Sequence, residues 1–265
     1  MNISLKFIPE RPSQPRTNGI TMVMDKGIGM NQAADLIETA GSLIDLLKLG
    51  FGTSYANPNV KKKIALYKKK GIRVYPGGTL FEAFVIRDQF DDFRRFLDKL
   101  GFDAVEISDG SMEIDHDKKC EYIHTLSKDF LVVSEVGSKI AGLEIPISQW
   151  VSQMKSELEA GSFKVIAEAR ESGTVGIYDI HGKANFELIS EISKHLPLDN
   201  ILWEAPQKLQ QVWFIKHFGA NVNLGNIAPT EIIPLETLRL GLRGDTFMHF
   251  LPDDIQQNTS LKVIS

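Results

Sequence analysis

The 265-residue chain is predicted to fold as one α/β domain, a single (β/α)8 TIM barrel, on three observations. Eight short apolar, β-branched runs alternate with longer amphipathic stretches. Their starts recur roughly 20 to 40 residues apart, room for a strand and its crossover helix each time. No linker or change of composition divides the series, so residues 1–265 read as one domain. Eight such units in this length favour a closed barrel. A doubly wound open sheet is the competing arrangement, because strand count alone does not prove closure.

The predicted strands are 20–24, 44–48, 72–75, 104–108, 130–135, 163–168, 200–204 and 221–224. A polar, proline-rich extension, 1–17, precedes them and a polar tail, 252–265, follows. Asn57-Pro58 supplies an N-cap and a first-turn proline for a helix over 59–70, which Gly71 ends. Its lysines, Lys61 to Lys63 and Lys68 to Lys70, read as a solvated face. The 89–100 segment sets Phe90, Phe93, Phe96, Leu97 and Leu100 on one side, the pattern of a helix packed on the barrel. Gly101 and Gly161 repeat the stop signal before strands four and six. Ala205-Pro206 opens a helix over 207–218 that Gly219 closes.

Composition excludes several functions. Hydrophobic residues make up 43% and charged residues 24%, and the formal net charge is −4. That balance argues against a general nucleic-acid or anionic-membrane binder. No apolar stretch approaches the ~20 residues that span a bilayer. Cys120 is the sole cysteine, so neither an intrachain disulfide nor a multi-cysteine zinc site is available, and a reducing, cytoplasmic setting is expected. Cys120 falls mid-helix and reads as inert packing. None of the six histidines falls at a predicted strand end, which argues against zinc. Gly50-Phe51-Gly52 lacks the third glycine of a dinucleotide fingerprint.

In parallel α/β folds ligands lie at the carboxyl ends of the strands. Those ends carry Asp25, Lys48, Glu106 with Ser108, Glu135 with Lys139, Glu168 with Arg170, Glu204, and Asn223 with Asn226. About half of such rim charges are expected to form purely structural ion pairs. Alternation along the strands places Asp25, Lys48 and Glu106 inside the mouth. The carboxylates are hard oxygen donors suited to Mg²⁺. The lysines and Arg170, with backbone N–H groups of the Gly-rich turns, suit a small polyanion.

Motifs spread from about Gly19 to Thr246 carry a resemblance to a known family. They include Asp25-Lys26-Gly27, Lys48 with Gly50-x-Gly52-Thr53-Ser54, and Tyr75-Pro76-Gly77-Gly78-Thr79-Leu80-Phe81-Glu82. They continue through Val105-Glu106-Ile107-Ser108-Asp109-Gly110-Ser111, Glu135-Val136-Gly137 with Lys139, Arg170-Glu171-Ser172-Gly173, Glu204-Ala205-Pro206 and Asn223-Leu224 with Asn226. Taken together the sequence closely resembles the phosphosulfolactate synthase family. The resemblance implies a (β/α)8 barrel that requires Mg²⁺ and adds sulfite to C3 of phosphoenolpyruvate. It assigns Lys139 as the acid that protonates C2, with Arg170 beside it in catalysis. Lys48, Asp25, Ser108, Asn223 and Asn226 are the candidates for substrate binding. Asp25 is read as an ion-pair partner of Lys48 or an orienting group. Glu106, Glu135, Glu168 and Glu204 are the candidates for the metal, with one or two bound directly. Arg239 and Arg243 are expected to pair with Glu236 or Asp245. A homo-oligomer is also implied. The family includes plant heat-stress-associated relatives, so a barrel without turnover is the alternative, as is an enol-phosphate enzyme using another nucleophile.

Overall fold

The computed structural model describes residues 4–137, 145–170 and 172–257. Its order is β1 (Thr21–Asp25), α1 (Met30–Ala40), β2 (Leu46–Leu49), α2 (Thr53–Ala56), α3 (Val60–Lys68), β3 (Arg73–Pro76), α4 (Gly78–Val85), α5 (Phe90–Leu100) and β4 (Ala104–Ile107). It continues with α6 (His116–Leu126), β5 (Leu131–Val136), α7 (Ile147–Ala160), β6 (Lys164–Ala167), α8 (Phe186–His195), β7 (Ile201–Glu204), α9 (Lys208–Phe218), β8 (Leu224–Ile227), α10 (Ile232–Arg239) and α11 (Asp253–Gln256).

The eight strands form one parallel sheet in the order β3-β2-β1-β8-β7-β6-β5-β4. β3 and β4 lie side by side and close the ring. Among the described residues no strand ladder joins these two. Side chains of β4 and its approach bridge the seam: Val74 N–H donates to Asp103 at 3.1 Å and Gly78 N–H to Glu106 at 2.7 Å. The barrel expected from the sequence is therefore present, and the open-sheet alternative is not.

Two apolar layers follow from the two faces of each strand. Ile20, Met22, Leu46, Tyr75, Ala104, Val133, Ile166 and Leu202 fill the barrel interior. The opposite faces pack against the helices, with Val23, Leu47, Val74, Val105, Val132, Val165 and Trp203 all buried there. The α5 face is as predicted: Phe93 and Leu97 are buried, while Phe90, Phe96 and Leu100 pack on them half-buried. Three rings there, Phe81, Phe84 and Phe93, meet at centroid distances of 5.4–5.6 Å.

Three local expectations need correction. β8 starts at Leu224, not at 221, because Asn223 is a capping residue rather than a strand residue. Its Oδ1 accepts from Ile20 N–H, and its Nδ2 donates to the carbonyls of Asp199 and Ile201. The 59–70 helix starts at Val60, because Asn57 Oδ1 accepts from Asn59 N–H and closes an Asx turn ahead of it. Within that helix Lys63 is only 1% exposed, so the lysine run is not uniformly a solvated face. The N-terminal extension is tied across the amino end of the barrel. Arg11 pairs with Glu236 at 3.0 Å, and Arg16 pairs with Asp45 at 3.1 Å.

Candidate active site

The mouth is built by counting two residues up from each interior side chain. Above Met22, Leu46, Tyr75, Ala104, Val133, Ile166 and Leu202 stand Met24, Lys48, Gly77, Glu106, Glu135, Glu168 and Glu204. All seven line one cavity of about 220 Å³, together with Phe51, Thr79, Arg170 and Asn226. The strands thus deliver apolar packing below and ionisable groups above.

Lys48 sits among the carboxylates. Its Nζ lies 2.9 Å from Glu106, 3.6 Å from Glu204 and 3.7 Å from Glu135. Burial works against its charge, but Glu106, Glu204 and Glu135 overcome that and hold the amine protonated well above the ordinary lysine range. Burial pushes Glu204 up to about 7; Lys48 opposes the shift, and Glu135 and Glu106 add to it. Below them the fully buried Tyr75 hydroxyl makes no hydrogen bond among the described residues. Burial first, and the Glu106 charge next, keep that phenol protonated.

Glu135, Glu168 and Glu204 can each bring one oxygen within 4.8 Å of the others. Two consecutive amides fix two of them: Ala169 N–H donates to Glu204 at 3.0 Å and Arg170 N–H to Glu168 at 2.6 Å. The remaining oxygen of Glu204, Oε1, is buried and accepts no hydrogen bond from the described residues. Three buried carboxylates held this close are the hard donor set that a divalent cation such as Mg²⁺ takes, so the residues present fit that ion. Arg170 stands exposed at the rim with a left-handed backbone, φ 52°. Its amide bond to Glu168 offsets that conformation and ties the arginine to the acidic group.

The structure brings together Lys48, Glu106, Glu135, Glu168, Glu204, Arg170 and Asn226, all expected from the sequence. Glu106 stands outside the three-carboxylate group. Its oxygens go to Lys48 and to the Gly78 amide at the seam. Asp25 is not in the mouth. It occupies the alternate register, facing the helices, where Lys63 meets it at 2.6 Å and Tyr67 donates to it at 2.9 Å. Its ion-pair partner is therefore Lys63 and not Lys48. Asn223 lies at the opposite end of β8 and caps main-chain groups there. Ser108 is buried and its hydroxyl donates to Glu82. A Cβ on Gly78 would overlap Ser108, which shows how closely α4 approaches β4 there. Lys139 lies outside the described residues. Arg239 does not pair with Glu236 either; it is buried and donates to the carbonyls of Ala220, Val222 and Ile20. Arg243 approaches Asp245 at 4.0 Å, as expected.

Sequence reasoning passed over Met24, Phe51, Thr79 and the Tyr75 hydroxyl. Tyr75 and Thr79 lie in the Tyr75–Glu82 motif, so the same count of two that finds Lys48 from Leu46 would have found the Tyr75 face.

A parallel (β/α)8 barrel with an acidic and basic cluster at the carboxyl ends of its strands defines the class, an α/β-barrel enzyme. Solved structures agree on the fold: 3-hexulose-6-phosphate synthase from Salmonella typhimurium superposes with a TM-score of 0.53 at 13% identity, over 84% of this chain and 100% of that one. A family model described as (2R)-phospho-3-sulfolactate synthase matches residues 9–245. The phosphosulfolactate synthase of Methanothermobacter thermautotrophicus is 43% identical over 252 residues, 93% of this chain and 98% of its own. That of Bacillus subtilis is 40% identical, over 91% and 96%. The protein HEAT-STRESS-ASSOCIATED 32 of Arabidopsis thaliana is 24% identical, over 87% and 88%. The chain belongs to the phosphosulfolactate synthase family.

Proposed function

We propose that this chain catalyses the Mg²⁺-dependent addition of sulfite to phosphoenolpyruvate, giving (2R)-2-phospho-3-sulfolactate, a carbon–sulfur lyase reaction. The observation that carries the reading is the close group of Glu135, Glu168 and Glu204, set beside Lys48 and Arg170 in one small cavity. A substrate bearing both phosphate and carboxylate needs anion-binding cations and a metal-binding carboxylate set in the same place.

The sulfite sulfur forms a bond to C3, and the C2–C3 π pair moves to C2 and into the carboxylate. Bound Mg²⁺ would supply Lewis-acid stabilisation of that developing charge. Glu135, Glu168 and Glu204 would hold the ion. Arg170 offers its planar fork to the phosphate from the rim. Lys48 balances the carboxylates and keeps them from repelling the anionic substrate. Asn226 adds a neutral polar contact. Lys139, a few positions after β5 in the sequence, gives a proton to C2 and completes the product.

The test is an assay with phosphoenolpyruvate, sulfite and Mg²⁺, with phosphosulfolactate followed by mass spectrometry. Product that is lost with EDTA and in Lys139→Ala supports the reading. Phosphoenolpyruvate binding without product means another nucleophile. Neither binding nor product means a barrel without turnover.

A further inference from the structure

Outside the cavity, between α6, α7 and the sheet, the fold buries a lysine that the chemistry above does not use. Lys119 is 2% exposed. Its Nζ lies 2.9 Å from Asp109 Oδ1, 2.8 Å from Glu157 Oε1 and 2.6 Å from the main-chain carbonyl of Glu135. An ammonium has three N–H donors, and here each has one acceptor on a different element. Asp109 follows β4, Glu157 belongs to α7, and Glu135 is a residue of β5 and a member of the three-carboxylate group. Burying an ammonium and a carboxylate together carries a desolvation cost that an apolar pair of the same shape would avoid. Packing alone therefore does not account for a lysine here.

The backbone just beyond is held from the other side. Gly137 has φ +131°, and a Cβ there would lie 2.5 Å from the Trp150 ring of α7 and 2.6 Å from Cβ of Glu168. The end of β5 is thus gripped between Lys119 and a Trp150–Glu168 wall. The direction of the Glu135 side chain is set by that backbone.

We infer that Lys119 is a positioning residue for the metal site: by fixing the Glu135 carbonyl it aims the Glu135 carboxylate at Glu168 and Glu204. This rests on the reading of that group as a cation site. Partners of this kind, which orient ligands from behind, typically contribute about 10-fold or more to metal affinity.

The experiment is a Mn²⁺ titration followed by electron paramagnetic resonance, on the wild-type protein and on Lys119→Met, with thermal unfolding of both. Positioning predicts that Lys119→Met weakens Mn²⁺ binding about 10-fold, whatever the change in thermal stability. A purely electrostatic role predicts the opposite sign, because removing a nearby positive charge favours a cation. A purely structural role moves the unfolding temperature and leaves affinity unchanged. Tighter or unchanged binding overturns the inference. If Lys119→Met does not fold, Lys119→Gln replaces it, which removes the same positive charge and shortens the reach to the Glu135 carbonyl, so the same weakening or its absence decides. Failure of the wild-type protein to bind Mn²⁺ overturns the cation site and this inference together. Wild-type binding with an unchanged variant overturns this inference alone.

Discussion

The two ends of the barrel both bury charge, and they use it in opposite ways. At the amino end Arg239 is fully buried and donates to three main-chain carbonyls, at 2.6, 2.7 and 3.2 Å. Arg11 and Arg16 join it with one carboxylate each, and Asn223 bonds main-chain groups on both sides. These contacts tie loop to strand and extension to barrel. At the carboxyl end the charged groups face one another across an open cavity, and like charges are pressed together. Glu204 shows it in a raised pKa, pushed up by burial first and then by the Glu135 and Glu106 charges. Charge matched to backbone marks the end that holds the fold, while charge crowded against like charge marks the end kept for a ligand.

The strongest way to break this comparison is to change one carboxylate of the mouth. Glu135→Ala is expected to lower the proposed synthase activity by at least about 100-fold, since it removes a proposed metal donor. It should leave the unfolding temperature of the metal-free protein unchanged or raised, because it relieves repulsion. Steady-state assays and calorimetry check both halves. The converse change is at the amino end. Arg239→Leu removes a donor from three buried carbonyls, of which Ala220 keeps Arg11 and Ile20 keeps the Leu224 amide, and should destabilise the fold by about 2 to 3 kcal/mol. That corresponds to a fall of roughly 4–12 °C in Tm for a chain of this size. Activity per folded molecule should stay the same. An activity loss larger than the folded fraction explains would show that the two ends are not independent.

A smaller effect sharpens the reading of Glu204. Its folded pKa, about 7, lies above the ordinary 4.5. The folded state therefore favours the protonated form. The stability from this group is fully present below 4.5, fades as pH rises, and is gone above about 7. The Tm of metal-free protein should lose this contribution across that window, and Glu204→Gln should remove that part of the slope. A variant whose Tm follows the wild-type curve throughout would assign the strain to another member of the group.

The barrel was legible because short apolar strand runs recur eight times and glycine ends four of the helices between them, and both patterns are local. The mouth was legible wherever register was set by the same pattern: Lys48 over Leu46 and Glu106 over Ala104 needed only counting. It failed by one residue at Asp25. The Thr21–Asp25 face reads inward as readily as its alternate, and only the packing of Met22 against Leu46 and Leu202 decides it. It failed at Asn223 because a side chain that imitates strand hydrogen bonds looks, in sequence, like a strand residue. Arg239 was read as structural but with the wrong partners, and Lys119 was not readable at all. Their partners are carbonyls and carboxylates distant in sequence, so no spacing announces them.

Asp25 supplies the finest test of the division, because it lies one residue off the mouth register at the same height in the barrel. Its carboxylate accepts from Gly27 and Ile28 N–H at 2.8 and 3.0 Å, from Tyr67 at 2.9 Å, and pairs with Lys63 at 2.6 Å. That is the matched pattern of the amino end, found behind the mouth. Tyr67→Phe removes one of these partners while Lys63 and the two amides remain. The expected loss is about 1 kcal/mol, or roughly 2–4 °C in Tm, with kcat and KM unchanged. A measurable rise in KM would mean that the βα turn after β1 bears on the substrate, and that the helix-facing layer belongs to the site as well as to the fold.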